Sequence, residues 1–285
     1  LDYGFMFTVP ATPGIPASVL RNMTLMGFVQ GVRTMRDHSH PLTITRVTFM
    51  HNSTGLYLSG SGVLATDCDF LENSTGANYS GSGSHGNRFI QNRFRDNNYR
   101  LAQSYGDLIF DTAYDSEVRE NHFLPSASPQ GQYRVAMSFY RNMGEDGSLR
   151  EDFPRSNVVV DNVVDGYTVG FYLGSRQGRA NHAHDVAGEG RDYVARNFIA
   201  GNTIRNTTIG VKINTSGNTV EGNTFESVTL PIVLHVAGYS LTETTINDQP
   251  GVTVSLWTEP SHYTAYASWF SYQAPLMNSV PKAER

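Results

Sequence analysis

One apolar position recurs down the chain and constrains the fold more than any other feature. Phe28, Phe49, Phe70, Phe94, Phe123, Val164, Ile204 and Phe225 are separated by 21, 21, 24, 29, 41, 40 and 21 residues. The short spacing reads as one coil of a stacked repeat, and the longer ones as the same coil with loops inserted. Five residues before each anchor stands a second apolar residue: Met23, Ile44, Ala65, Phe89, Val118, Val159, Ile199 and Val220. Two before it, the later coils carry Asn92, Asn121, Asn162, Asn202 and Asn223, where the earlier ones have Met26, Val47 and Cys68. Seven before it stand Asn87, Asn157, Asn197 and Asn218, with Ser116 as the exception. Six residues after the anchor comes a Gly-φ-x-φ strand, as in Gly55-Leu-Tyr-Leu, Gly170-Phe-Tyr-Leu and Gly210-Val-Lys-Ile.

These half-repeats suit strands of three to five residues with alternating burial. No Asn-Gly turn joins them as hairpins. Identical positions therefore meet once per coil in parallel ladders, where like amides stack and bond along the axis. Parallel crossovers wind right-handed. The expected class is all-β: a right-handed parallel β-helix of about eight coils with long loop insertions in the middle coils. Leucine is too sparse for a leucine-rich horseshoe, and a propeller needs longer four-stranded units. Residues 1–239 form the helix, with Gly4-Phe-Met-Phe reading as a start in mid-coil. Residues 240–285, which hold Trp257 and Trp269, read as a C-terminal cap. An upstream domain or partner chain is the expected cover for the first coil.

Charge narrows the partners. Only 16% of residues are charged and the formal net charge is −5, with no basic block, so nucleic acid is not an expected partner. No run of 18 apolar residues points to a membrane span. The single cysteine, Cys68, gives no disulfide framework and reads as a small buried hydrophobe. Sequons stand at Asn22, Asn52, Asn73, Asn78, Asn206 and Asn214, but asparagine and threonine are also the turn residues of such a fold.

Alternation lists the outward positions of the Gly-φ-x-φ strand: Tyr57, Asn78, Ala102, Ser138, Tyr172, Lys212 and Val233. The next outward step gives Ser59, Ser80, Ser104, Tyr140, Gly174, Asn214 and His235. Three insertions, near 104–115, 141–156 and 174–192, are expected after this strand in adjacent coils, as a wall above its outward face. They carry Asp107, Asp111, Asp115, Arg141, Glu145, Asp146, Arg176, Arg179, His182, His184 and Asp185. Tyrosines stack on sugar faces, and arginines fork onto carboxylate or sulfate.

The coil template, for example Gly201-Asn-Thr-Ile-Arg-Asn and Gly222-Asn-Thr-Phe-Glu-Ser, resembles the pectate-lyase-like β-helix superfamily of carbohydrate-binding and sugar-cleaving solenoids. The resemblance covers about residues 20 to 236. It implies fold and a polysaccharide partner, and does not choose among lyases, hydrolases, epimerases, tailspikes and adhesins. Ser84-His-Gly86 and Gly210-Val-Lys212-Ile only partly match polygalacturonase motifs, and the Asp-Pro-His core of alginate epimerases is absent.

The leading expectation is a secreted or cell-surface enzyme that cleaves an acidic polysaccharide, as a lyase or glycoside hydrolase, in a groove along the helix. The alternative is a non-catalytic carbohydrate-binding adhesin, tailspike or fibre segment. Elimination needs a base for the C5 proton and a cation for the carboxylate. Lys212 or His184 would serve as base, Tyr140 or Tyr172 as acid, and Arg141 as neutraliser. Hydrolysis needs two carboxylates, here drawn from Asp107, Asp111, Glu145, Asp146 and Asp185. Tyr105, Arg176, Arg179 and Asn214 are the expected sugar-binding residues. His182-x-His184 has zinc-like spacing without a third ligand, and Ca²⁺ is the ion the acidic loops would hold.

Overall fold

In the computed structural model, residues 2–8, 13–80, 84–97, 106–125, 134–140, 154–174, 196–213, 217–235, 245–247, 254–257 and 271–272 are described. Their regular structure is entirely strand, and every strand pairing is parallel. The strands form one ten-stranded sheet and one sixteen-stranded sheet. The ten-stranded sheet, ladder 1, holds the Gly-φ-x-φ strands, from Tyr3–Phe7 through Thr54–Leu58, Val169–Leu173 and Ile209–Ile213 to Val254–Trp257. The larger sheet holds two ladders. Ladder 2 carries Ile44, Ala65, Phe89, Val118, Val159, Ile199 and Val220 in register. Ladder 3 carries Phe49, Phe70, Phe94, Phe123, Val164, Ile204 and Phe225 in register. The long strands Ser18–Met26 and Leu42–Met50 run through both, bent at Asn22 (φ 55°) and Arg46 (φ 53°).

The first coil is set three residues differently from the sequence expectation. Leu25, not Phe28, pairs with Phe49, and Leu20, not Met23, pairs with Ile44. Phe28 stands instead at the next corner, where its N–H donates to Asn52 Oδ1 at 2.9 Å. Both positions suit an aromatic residue, so the apolar pattern alone did not separate them. Of the segment expected to be a cap, Thr245–Asn247, Val254–Trp257 and Ser271–Tyr272 continue the ladders in parallel.

The inward residues make a dry axial core. Phe49, Phe70, Phe94 and Phe123 stack ring on ring at 4.6–4.9 Å with near-parallel planes. The glycine that opens the ladder 1 strand makes room for this stack. A Cβ on Gly55 would lie 2.6 Å from Gly76 O and 3.1 Å from the Phe70 ring.

Asparagine supplies the corner bonds. Asn92, Asn121, Asn162, Asn202 and Asn223 form one ladder, each Nδ2 donating to the next Oδ1 at 2.8–2.9 Å. Asn157, Asn197 and Asn218 form a second. Their Oδ1 atoms also accept the backbone N–H of the preceding coil's corner residue, so buried turns keep no unsatisfied donor there. A third ladder, Asn52–Asn73–Asn97, occupies the corner between ladder 3 and ladder 1 and was not read from the sequence. Asn52 and Asn73 are thus buried structural residues within their sequons. Cys68 is buried at the head of the first ladder, accepts no amide there, and donates its N–H to Asn92 Oδ1. Burial pushes its thiol up to about 12, as suits an inert hydrophobe.

Candidate functional site on the outer face of ladder 1

Register places Arg33, Tyr57, Asn78, Ile109, Ser138, Tyr172, Lys212 and Val233 in one outward column. Ser80, Asp111 and Tyr140 line up beside it. Two expected members are corrected. Ile109 holds the place assigned to Ala102, and Asp111 the place assigned to Ser104. The strand there is Leu108–Asp111, preceded by Asp107 where other coils have glycine, so the template lost it. The extra residues of that coil consequently precede the strand, and the insertion expected at 104–115 lies at the opposite corner. The other two insertions do begin where expected. The ladder 1 strands before them end at Tyr140 and Leu173 in neighbouring coils, and Tyr140 and Gly174 are the last described residues there.

The face has two halves. Toward the C-terminal end it is covered: Tyr172 is 5% exposed and Lys212 8%. Val135, Val169, Ile209 and Val233 cluster with Tyr172 as an apolar group outside the axial core. Lys212 Nζ lies 5.5 Å from the centre of the Tyr172 ring, a cation–π distance. Burial lowers the Lys212 pKa, because the apolar surroundings disfavour its charged form. Toward the N-terminal end the face is open. There Arg33 lies between the rings of Tyr3 and Tyr57, at 5.5 and 5.3 Å from their centres.

Asp107 does not reach this face. It is 2% exposed at the corner between ladder 3 and ladder 1, where it ends the third asparagine ladder. Its Oδ2 accepts from Asn97 Nδ2 at 3.3 Å and from the Tyr167 hydroxyl at 2.8 Å. Arg134 lies close by and is paired with Asp96 at 3.8 Å. Desolvation raises the Asp107 carboxyl to about 6, against the opposing pull of these donors. Asp111, by contrast, is on the outer column, where it accepts from Ser80 Oγ at 3.1 Å.

At the corner between ladder 1 and ladder 2 a second stack runs along the axis. His85 lies parallel to Tyr114 at 5.0 Å, and the Arg155 guanidinium sits 4.2 Å from the Tyr114 ring centre. His85, the histidine of the Ser-His-Gly motif, is therefore engaged in a stack between coils. Elsewhere the surface charges pair across rungs, as in the two-point contact of Arg93 with Asp69 and the contacts of Glu117 with Arg88 and Arg119.

Tyr105, Arg141, Asp146, Arg176, Arg179, His182, His184, Asp185 and Asn214 lie outside the described residues. The structure therefore brings together two of the expected catalytic residues, Lys212 and Tyr172, and separates Asp107 from them. Among the described residues no group of three His, Cys, Asp or Glu side chains could hold a metal ion, and no helix is long and apolar enough to cross a membrane.

The model of a family described as the right-handed β-helix region matches residues 30–194, more than half of the chain. The chain belongs to the right-handed β-helix family. As a β-helix it is similar in structure to two mutant forms of the tailspike protein of E. coli bacteriophage HK620, each solved in complex with a pentasaccharide. The TM-scores are 0.51 and 0.50 at 11% and 10% sequence identity, over 90% and 88% of this chain. The chain spans about half of those tailspike chains, 49% and 51%. No curated protein matches this β-helix in sequence. At such identities the likeness concerns fold, and function has to be argued from the site.

Proposed function

We propose that this β-helix binds an acidic polysaccharide along the outer face of ladder 1 and cleaves it by elimination, as a secreted or cell-surface protein. The observation that carries the reading is the Lys212–Tyr172 pair. It sets an amine of lowered pKa 5.5 Å from the centre of a tyrosine ring on one outward column. Burial shifts the Lys212 amine toward its neutral form, the direction that a general base for a carbon-bound proton needs. In elimination the Lys212 amine takes the C5 proton of a uronate. The electron pair forms the C4–C5 double bond, the C4–O bond breaks, and the leaving oxygen takes a proton from the Tyr172 hydroxyl. The phenolate then recovers a proton from the ammonium. Hydrolysis has less support among the described residues, because Asp107 is occupied as the end of an internal ladder.

The binding-only alternative has its own supporting observation, the low exposure of both Lys212 and Tyr172. Incubation with a panel of uronate-rich and neutral polysaccharides separates the readings. Ultraviolet absorbance from an unsaturated uronate supports elimination. New reducing ends without that band indicate hydrolysis and overturn it. Retained binding with neither product leaves a carbohydrate-binding β-helix.

A further inference from the structure

We propose that Arg33, held between Tyr3 and Tyr57 at the open end of ladder 1, is a subsite for the carboxylate of an acidic sugar residue. The inference rests on the reading of this outer face as a glycan surface and names what one end of it recognises. The guanidinium carbon lies 5.5 Å from the centre of the Tyr3 ring and 5.3 Å from that of Tyr57. Arg33 Nη1 donates to the Tyr3 hydroxyl at 3.2 Å. Two tyrosines thus hold one arginine, in an outward position and partly exposed.

A guanidinium donates only in its own plane, and a carboxylate docks there as a fork. The Arg33 Nε is buried and Nη1 donates to the Tyr3 hydroxyl, so the terminal Nη1–Nη2 edge is the side on which a carboxylate would dock. Among the described residues no carboxylate neutralises the charge at that edge. Arg88, Arg93, Arg95, Arg119, Arg134 and Arg205 each have a carboxylate within ion-pair distance. Arg33 has no such partner among the described residues, and its one hydrogen bond is to a neutral phenol. A cation held in place by rings rather than by an acid remains available to an outside anion. Its side chain is already ordered, so less conformational entropy is lost on binding. The next rungs present the Tyr57 ring and the Asn78 amide in register, about 4.8 Å apart along the axis. A sugar ring and its hydroxyls would meet an aromatic face and an amide there.

The test uses the full chain carrying Lys212→Ala, which keeps oligosaccharides intact. Calorimetric titration compares three probes: uronate hexasaccharides, the same hexasaccharides reduced at their carboxyl groups, and a sulfated neutral hexasaccharide. Arg33→Lys keeps the charge but removes the fork. It is expected to weaken uronate binding by about tenfold or more and leave the carboxyl-reduced sugars unaffected. Tyr57→Leu is expected to weaken both. Unchanged uronate affinity in Arg33→Lys, or equal loss for uronate and reduced sugars, overturns the subsite while the glycan surface stands. Arg33-dependent binding of the sulfated probe in place of uronate overturns the carboxylate assignment. Absence of binding to every probe by the parent protein sinks the glycan surface and the subsite together. Unaltered far-ultraviolet circular dichroism of each variant confirms that the coils are intact.

Discussion

Asp107 accepts a hydrogen bond from the Tyr167 hydroxyl at 2.8 Å, in a corner where both residues are almost entirely shielded from water. Its carboxyl is raised from 3.8 to about 6 by that burial. The folded chain therefore keeps a proton through the interval from about 4 to 6 that the unfolded chain has released. Stability falls as pH rises through that window and is regained on acidification. Asp107→Asn cannot titrate. In urea unfolding between pH 4 and 7, the stability difference between wild type and this variant should change by up to about 3 kcal/mol. A constant difference across that range would show that Asp107 does not titrate there.

Asn121 bonds to two coils at once. Its Oδ1 accepts from Asn92, and its Nδ2 donates to Asn162 and to Phe89 O. Asn121→Ala strands buried backbone groups on both sides and should cost about 3 kcal/mol or more of stability, at about 1–3 kcal/mol for each unsatisfied group. Chemical denaturation with a two-state check measures it.

Tyr79 is wholly buried in the core, stacked on Phe110 at 4.7 Å, and its hydroxyl has no hydrogen-bond partner among the described residues. Tyr79→Phe keeps the stack and removes the stranded group. The melting temperature should rise, by a free energy of about 1 kcal/mol. A fall would reveal a bound water or another partner.

Gly55 has no space for a side chain, since a Cβ would meet Gly76 O at 2.6 Å. Gly55→Ala should destabilise by about 1–3 kcal/mol through overpacking. Gly222, whose Cβ would meet nothing within 4 Å, tests backbone strain alone, because its φ is +57°. Its alanine variant should cost less, as thermal melts of both would show.

If elimination is the reaction, Lys212→Ala should lower the appearance of unsaturated uronate by about a hundredfold or more, and Tyr172→Phe by less, without loss of the coil signal in circular dichroism. Full activity in both would exclude the pair from the chemistry.

Most of the ladder register was legible from Phe49 onward, because an inward apolar anchor in every coil, with an asparagine two residues before it from Phe94 on, leaves one alignment. The first coil was not, because Leu25 and Phe28 offer competing apolar anchors three residues apart. The third asparagine ladder escaped because only three coils carry it before Asp107 ends it. Its signal was there, in an asparagine three residues after Phe49, Phe70 and Phe94. The outward column was readable where glycine marks the strand and was misread at Ile109, where Asp107 replaces that glycine. The environment of Asp107 could not be read at all, since its partners Asn97 and Tyr167 are distant in sequence and meet only through coil stacking. The arginine between two tyrosines has a comparable history. Arg33 stood in the outward slot of Gly31-Val-Arg-Thr, but pairing with Tyr3 depends on which rung lies above it.

Within the three asparagine columns the amide-to-amide bonds all run the same way, from Nδ2 of one coil to Oδ1 of the following coil. Bond dipoles aligned head to tail add and polarise one another. Electrically, the solenoid therefore has a direction, with a partial positive charge where each column ends. In the third column that end is Asn97, and the group facing it is the carboxylate of Asp107. An added coil could join such a column only in one orientation, so polarity as well as shape fixes how this chain can be lengthened.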